Sequence, residues 1–162
     1  MNKKLWNALN DQINKEFYSA YLYLSMAAYC DSIRLTGFSH WLKVQFNEEW
    51  AHGMKLYDYL VSRGEKVVLK AIDQLPIKFT SAPGLFELVY RHEQKVTGLI
   101  ERLCGISKEA GDKAAFTFFQ WFVKEQVEEE ENASRIIAGL KARKSGSESV
   151  AAMDRKLAKR KG

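Results

Sequence analysis

Proline is almost missing from this 162-residue chain: Pro76 and Pro83 are the only two, and they lie close together. Elsewhere no proline ring removes an amide donor or clashes with a preceding turn, so long helices are open to it. Cysteine is as scarce. Cys30 and Cys104 show no metal-type spacing, and in a chain of this size they read as buried thiols in a reducing compartment, which points to the cytoplasm. No apolar run approaches the ~20 residues of a membrane span. The start, MNKKLWNALNDQINKEF, is briefly basic and then amphipathic, without the apolar stretch of a secretory signal. No membrane partner is expected. The length suits one compact domain over residues 1–162.

An acidic excess is also missing. The net charge is +5 and the sequence pI about 9.1, with much of the surplus at the end, in LKARK and MDRKLAKRKG. A basic tail can signal a nucleic-acid contact. This one holds no aromatic residue to stack on bases, and a solvated terminus is the simpler reading.

What the chain does have is helical periodicity. A first helix is expected from about Lys3 to Ser32 and a second from about Gly37 to Arg63, stopped by Gly64. A third starts after Ser81-Ala82-Pro83, with Pro83 suited to a first turn, and ends near Gly111. A fourth runs from about Asp112 to Ala142. Ser145-Gly146-Ser147 then breaks the pattern before a short fifth helix over about Glu148–Ala158. The first and second helices, and the third and fourth, are joined so tightly that each pair is an antiparallel hairpin. The connection from Glu65 to Ala82 is ~18 residues long and can reach about 60 Å, whereas a 28-residue helix is only about 42 Å long. The expected fold is therefore all-α: an antiparallel four-helix bundle over about residues 3–142, with one long crossover between the second and third helices, and a short C-terminal helix.

Each helix has an inward seam at +3/+4 spacing. The seams read Leu9, Ile13, Glu16, Ala20, Tyr23, Ala27; then Phe38, Leu42, Gln45, Glu49, His52, Leu56; then Phe86, Val89, Glu93, Val96, Ile100, Leu103; then Phe119, Phe122, Gln126, Glu129, Ala133, Ile136, Leu140. Acids, or an acid with His or Gln, interrupt all four. The two halves repeat with one offset, since 16 to 93, 49 to 126 and 52 to 129 are each 77 residues. This brings Glu16, Glu49, His52, Glu93, Gln126 and Glu129 into one layer across the bundle. Isolated buried carboxylates cost several kcal/mol each even after relaxation, by rough estimate. No Lys or Arg lies at that level of the seams. Two divalent cations would match four carboxylates, and five oxygen donors with one imidazole suit Fe(II) or Mn(II) and admit Zn(II). The competing reading places every seam one position off, with the acids in solvent. Four helices would then have to err together.

At these residues the chain resembles a known family. The single Glu16, Glu49-x-x-His52 in EEWAH, Glu93 in RHEQKVTGLIERL and Gln126-x-x-Glu129 in WFVKEQVEEE are similar to the prokaryotic non-haem ferritins, and the likeness covers essentially the whole chain. Ferritin-like di-iron bundles are an established instance of this kind of site. The resemblance implies two irons per subunit. Glu16, Glu49 and His52 would hold one; Glu49, bridging, with Glu93 and Glu129 would hold the other. Gln126 would lie beside the oxygen-binding side. Tyr23 would donate a hydrogen bond or an electron. Glu48, Glu125 and Glu128 would form a third iron site towards a cavity.

The activity so implied is oxidation of Fe(II) by oxygen or peroxide, followed by storage as a ferric mineral inside a homo-oligomeric shell of 24 subunits. Haem is not expected, because Trp50 follows the bridging Glu49 where haem-binding relatives place Met. The basic charge departs from the usually acidic ferritin subunit, and the run Glu128–Glu131 would keep the inner face acidic. The alternative function is a metal-buffering or DNA-associated bundle without storage. His40 and His92 lie off the seam, with surface or capping roles expected. Trp41, Trp50, Trp121 and the Phe116-Phe118-Phe119-Phe122 cluster are expected in the core or at subunit interfaces.

Overall fold

The computed structural model describes residues 1–142 and 146–161, in five helices: α1 (Lys3–Ser32), α2 (Thr36–Ser62), α3 (Ala82–Glu109), α4 (Lys113–Lys141) and α5 (Gly146–Leu157). Among the described residues there is no strand, and no helix is long and apolar enough to cross a membrane. The helices start where local chemistry directs. Asn2, Ser81 and Asp112 each accept a hydrogen bond from a first-turn amide, those of Lys4, Gly84 and Ala115. Pro83 stands in the first turn of α3.

The ends of α1, α2 and α3 share one device. A residue with positive φ (Arg34 at 60°, Gly64 at 69°, Gly111 at 65°) is followed by an amide that reaches back five residues. Leu35 N donates to Cys30 O, Glu65 N to Leu60 O, and Asp112 N to Ser107 O. The tight turns this makes after α1 and α3 fold α1 onto α2 and α3 onto α4. Arg63, at the end of α2, then grips Asp112, the cap of α4, through both terminal guanidinium nitrogens, tying the two hairpins together.

Residues 63–81 form the crossover. It runs along α1: Trp6 Nε1 donates to Lys66 O, Asn10 Oδ1 accepts from Val68 N, Asn14 Nδ2 donates to Ala71 O, and Phe79 packs against Tyr29. A path from Trp6 to Tyr29 is about 35 Å at helical rise, so the chain returns along the bundle and leaves α2 and α3 parallel, as the loop length predicts.

α5 begins at Gly146, two residues earlier than the sequence suggests. Gly146 and Ser147 belong to the helix rather than to the break, and Ser145 lies outside the described residues. The helix docks on α2 and α4. The start of α2 has no side-chain cap of its own. Asp154 of α5 supplies one, its Oδ1 accepting from Phe38 N at 2.9 Å. The approach needs glycine at 37, where a Cβ would stand 1.8 Å from the Asp154 carbonyl oxygen.

Every seam residue named above is buried. The core is nevertheless split. One apolar cluster contains Tyr23, Phe38, Leu42, Phe86 and Ala133. The other contains Leu9, Ile13, Leu56, Val96 and Phe119. Between them on each helix lie the acids.

Candidate metal centre

The layer is built from four helices that each give up apolar burial for one turn. Glu16, Glu49, His52, Glu93, Gln126 and Glu129 are all buried, the least of them only 6% exposed. Glu16, Glu49 and His52 can place one ligand atom each within 4.8 Å of one another. His52 Nδ1 lies 3.7 Å from Glu49 Oε2, and its ring is held edge-on between Trp121 and Phe122. Glu93 and Glu129 adjoin this cluster, and the charges of both bear on Glu49.

Electrostatics shows how unfavourable the layer is by itself. Burial raises the Glu16 carboxyl, opposed mainly by His52. Glu49 is raised well above the ordinary range, first by burial and then by the charges of Glu93, Glu16 and Glu129. Burial lifts Glu93 to about 7 despite hydrogen bonds from Tyr23 and Gln126. Glu129 is lifted to about 8 by burial and then by Glu93. Four carboxyls cannot all ionise here without cations.

Hydrogen bonding satisfies only part of the layer. Gln12 Nε2 donates to Glu16 Oε1 and Gln45 Nε2 to Glu129 Oε2, both at 2.8 Å. Gln126 Nε2 faces Glu93 O and Oε2, both at 3.2 Å. The Tyr23 hydroxyl donates to Glu93 Oε1. Burial, then the charges of Glu93, Glu49 and Glu129, keep that phenol protonated by raising it well above its usual value. Glu16 Oε2 and Glu49 Oε1 are buried with no partner. Unpaired buried oxygens are costly, and two carboxylates that each leave one such oxygen, clustered with a histidine, have the chemistry of a metal site. A groove of about 650 Å³ between α3 and α4, lined in part by Gln126, Thr97 and Glu130, opens towards the layer.

The structure gathers the six seam residues and Tyr23. The residues proposed for a third site are more dispersed. Glu125 Oε2 is 3.9 Å from His52 Nε2, Glu128 is exposed, and Glu48 is paired with Arg160. His92 does not occupy the surface or capping position expected of it. Its Nε2 lies 2.7 Å from Ser19 Oγ and its ring meets the edge of Tyr23. Trp41 is buried, but Trp50 is 50% exposed, so it is not a core residue of the single chain. Gln12 and Arg160 carry roles that sequence reading missed. Gln12 was open to discovery, because it stands one helical turn before Glu16 on the same face.

The chain is similar to known proteins along most of its length. Residues 6–142 match the family described as a ferritin-like domain. The bacterial non-heme ferritin of Bacteroides fragilis is 37% identical over 160 residues, covering 99% of each chain. That of Staphylococcus saprophyticus is 42% identical over 130 residues, 80% of this chain and 78% of the relative. Among solved structures, an open pore ferritin from the hyperthermophilic archaeon Archaeoglobus fulgidus superposes with a TM-score of 0.96 at 43% identity, covering 99% of this chain and 98% of that one.

Proposed function

This chain belongs to the ferritin family and stores iron, and we propose that its carboxylate layer is a ferroxidase centre that takes two Fe(II) ions as substrate. One observation carries the reading: Glu16 and Glu49, each with a partnerless buried oxygen, cluster with His52 in a layer whose carboxyls are all pushed upward. In this reading Glu16, Glu49 and His52 hold one Fe(II). Glu49 bridges to the second, which Glu93 and Glu129 complete. Two dications balance four carboxylates, so metal binding and carboxyl ionisation are one coupled event. Each Fe(II) then gives up one electron, and the pair reduces dioxygen to peroxide with uptake of two protons. Holding both ions close together makes that two-electron transfer accessible.

The other residues position the ligands. Gln12, Gln45 and Gln126 donate to Glu16, Glu129 and Glu93 and hold each carboxylate in one orientation. Tyr23 holds the remaining oxygen of Glu93. Gln126 also lines the α3–α4 groove, a route of the size needed by a small oxidant. Glu48, Glu125 and Glu128 are the proposed third iron site, beside the pair.

Oxidised iron would be deposited within a homo-oligomeric shell, proposed to hold 24 subunits. α1, α2 and the crossover carry exposed Tyr21, Trp50, Val61, Leu69 and Ile77, apolar surface that a neighbouring subunit would cover. The buried thiols Cys30 and Cys104 suit a reducing cytoplasm. The DNA-associated alternative is not favoured: the relatives compared above are named as ferritins, and Arg160 of the basic tail is engaged within the chain.

The test is Fe(II) addition in air, followed by ferric absorbance. Wild-type protein should show a fast rise, slowed at least about tenfold in Glu49→Ala and His52→Ala. Equal rates in the three proteins reject the centre. The shell is tested by mass in solution, where 24 copies of 18.6 kDa give about 450 kDa.

A further inference from the structure

Arg160 lies three residues past the end of α5, in a tail that its composition marks as solvated, yet its side chain is only 18% exposed. Nη2 donates to Glu48 Oε2 at 2.6 Å, and Nη1 donates to the Trp41 carbonyl at 3.3 Å. The guanidinium carbon is 4.5 Å from the centre of the Trp41 ring. The Arg160 carbonyl oxygen lies 2.7 Å from His40 Nε2, which therefore carries the proton of that bond. Upstream, Asp154 caps α2 at Phe38 and leans on Gly37. The C-terminal segment is thus strapped along α2 from Gly37 to Glu48, and it ends one residue from Glu49.

A guanidinium that is stacked on an aromatic ring and hydrogen-bonded to a carboxylate occupies the place a cation would take at that oxygen. A metal dication and a guanidinium on the same carboxylate repel each other, and partial burial leaves that repulsion incompletely screened. We infer that Arg160 is the chain's own counter-cation for Glu48, competing with metal for that carboxylate, so that a third ion recruits Glu48 only by displacing the guanidinium and loosening the C-terminal strap. This rests on reading Glu48 as a ligand of the third site. Linkage makes the effect reciprocal: whatever the strap costs the metal, the metal costs the strap.

The test uses Zn(II), which binds without redox chemistry, titrated calorimetrically into metal-stripped full-length protein. In Arg160→Gln the weakest Zn(II) per subunit should bind about fivefold tighter, the scale of a half-exposed ion pair, with the two tight ions unchanged. Adding Glu48→Gln should abolish the gain. In the unaltered protein, filling the weakest site should speed amide exchange over residues 154–161 about fivefold. An Arg160→Gln titration within twofold of wild type overturns the inference, as does unchanged exchange on filling that site. Loss of the two tight ions from wild type itself would instead refute the ferroxidase-centre reading, and this inference with it.

Discussion

Glu16 and Glu49 face each other from α1 and α2, each leaving one buried oxygen without a hydrogen-bond donor. Burial raises both carboxyls, and the charge of Glu16 helps to raise Glu49 further. Retained protons stand where cations would, here and across the layer, and this sets how the protein responds to pH and metal.

Metal-stripped protein should lose stability as pH rises from about 5 to 8. An unfolded glutamate ionises near 4.5, whereas Glu93 and Glu129 hold their protons to about 7 and about 8 in the fold. Between those values the folded state binds more protons, so the slope of unfolding free energy with pH is negative. Their contribution is fully present below pH 4.5 and is lost as pH climbs through the folded values. Thermal melts in chelator should show a midpoint falling across this window, and Zn(II) should raise the midpoint more at pH 8 than at pH 5. A chelated midpoint that rises steadily to pH 8 would contradict the buried layer.

Tyr23→Phe should weaken the second metal position selectively. The phenol donates to Glu93 Oε1 and favours its ionised form. Without it Glu93 is harder to ionise, while Glu16, Glu49 and His52 keep their own contacts. A lost bond to a buried charged group is worth roughly 1–3 kcal/mol, so one of the two tight Zn(II) ions should weaken about tenfold or more. Equal weakening of both, or of neither, would remove Tyr23 from this role.

Gln12→Leu should cost about 1–3 kcal/mol of stability, because Glu16 Oε1 loses its donor while Oε2 already lacks one. Leucine is close in size, so the cavity term is small. Chemical denaturation with and without metal measures it. A variant as stable as wild type in chelator would mean that Glu16 does not depend on this amide.

Much of this was written in the sequence, and the exceptions have a common cause. Core-facing spacing identified Glu16, Glu49, His52, Glu93, Gln126 and Glu129, because burial along a helix follows a fixed period. The crossover was legible from its length. What lies one layer out was not. His92 is off the seam, where the same spacing suits a solvated residue, and only its contact with Ser19 shows its direction. Gln45 was on the seam, but its bond to Glu129 spans two helices. Arg160 reads as one more charge in a basic tail, and only the turn after α5 carries it back to Trp41 and Glu48.

Gly37→Ala tests how α5 is held. In an isolated helix alanine is better than glycine by up to about 1 kcal/mol, which alone would raise stability. Here the new Cβ would overlap the Asp154 carbonyl, which is backbone and cannot swing aside. Relief requires α5 to withdraw, exposing the buried Met153 and Leu157, each worth roughly 1.5–3 kcal/mol of burial. The loss outweighs the propensity gain. The variant should keep its four-helix circular dichroism, melt several degrees lower, and be cut by protease within α5 far faster than wild type. Asp154→Ala, which removes only the cap on Phe38, should lower stability by about 1 kcal/mol. A Gly37→Ala protein that melts higher and resists protease would show that the approach of α5 to α2 is not a constraint on the fold.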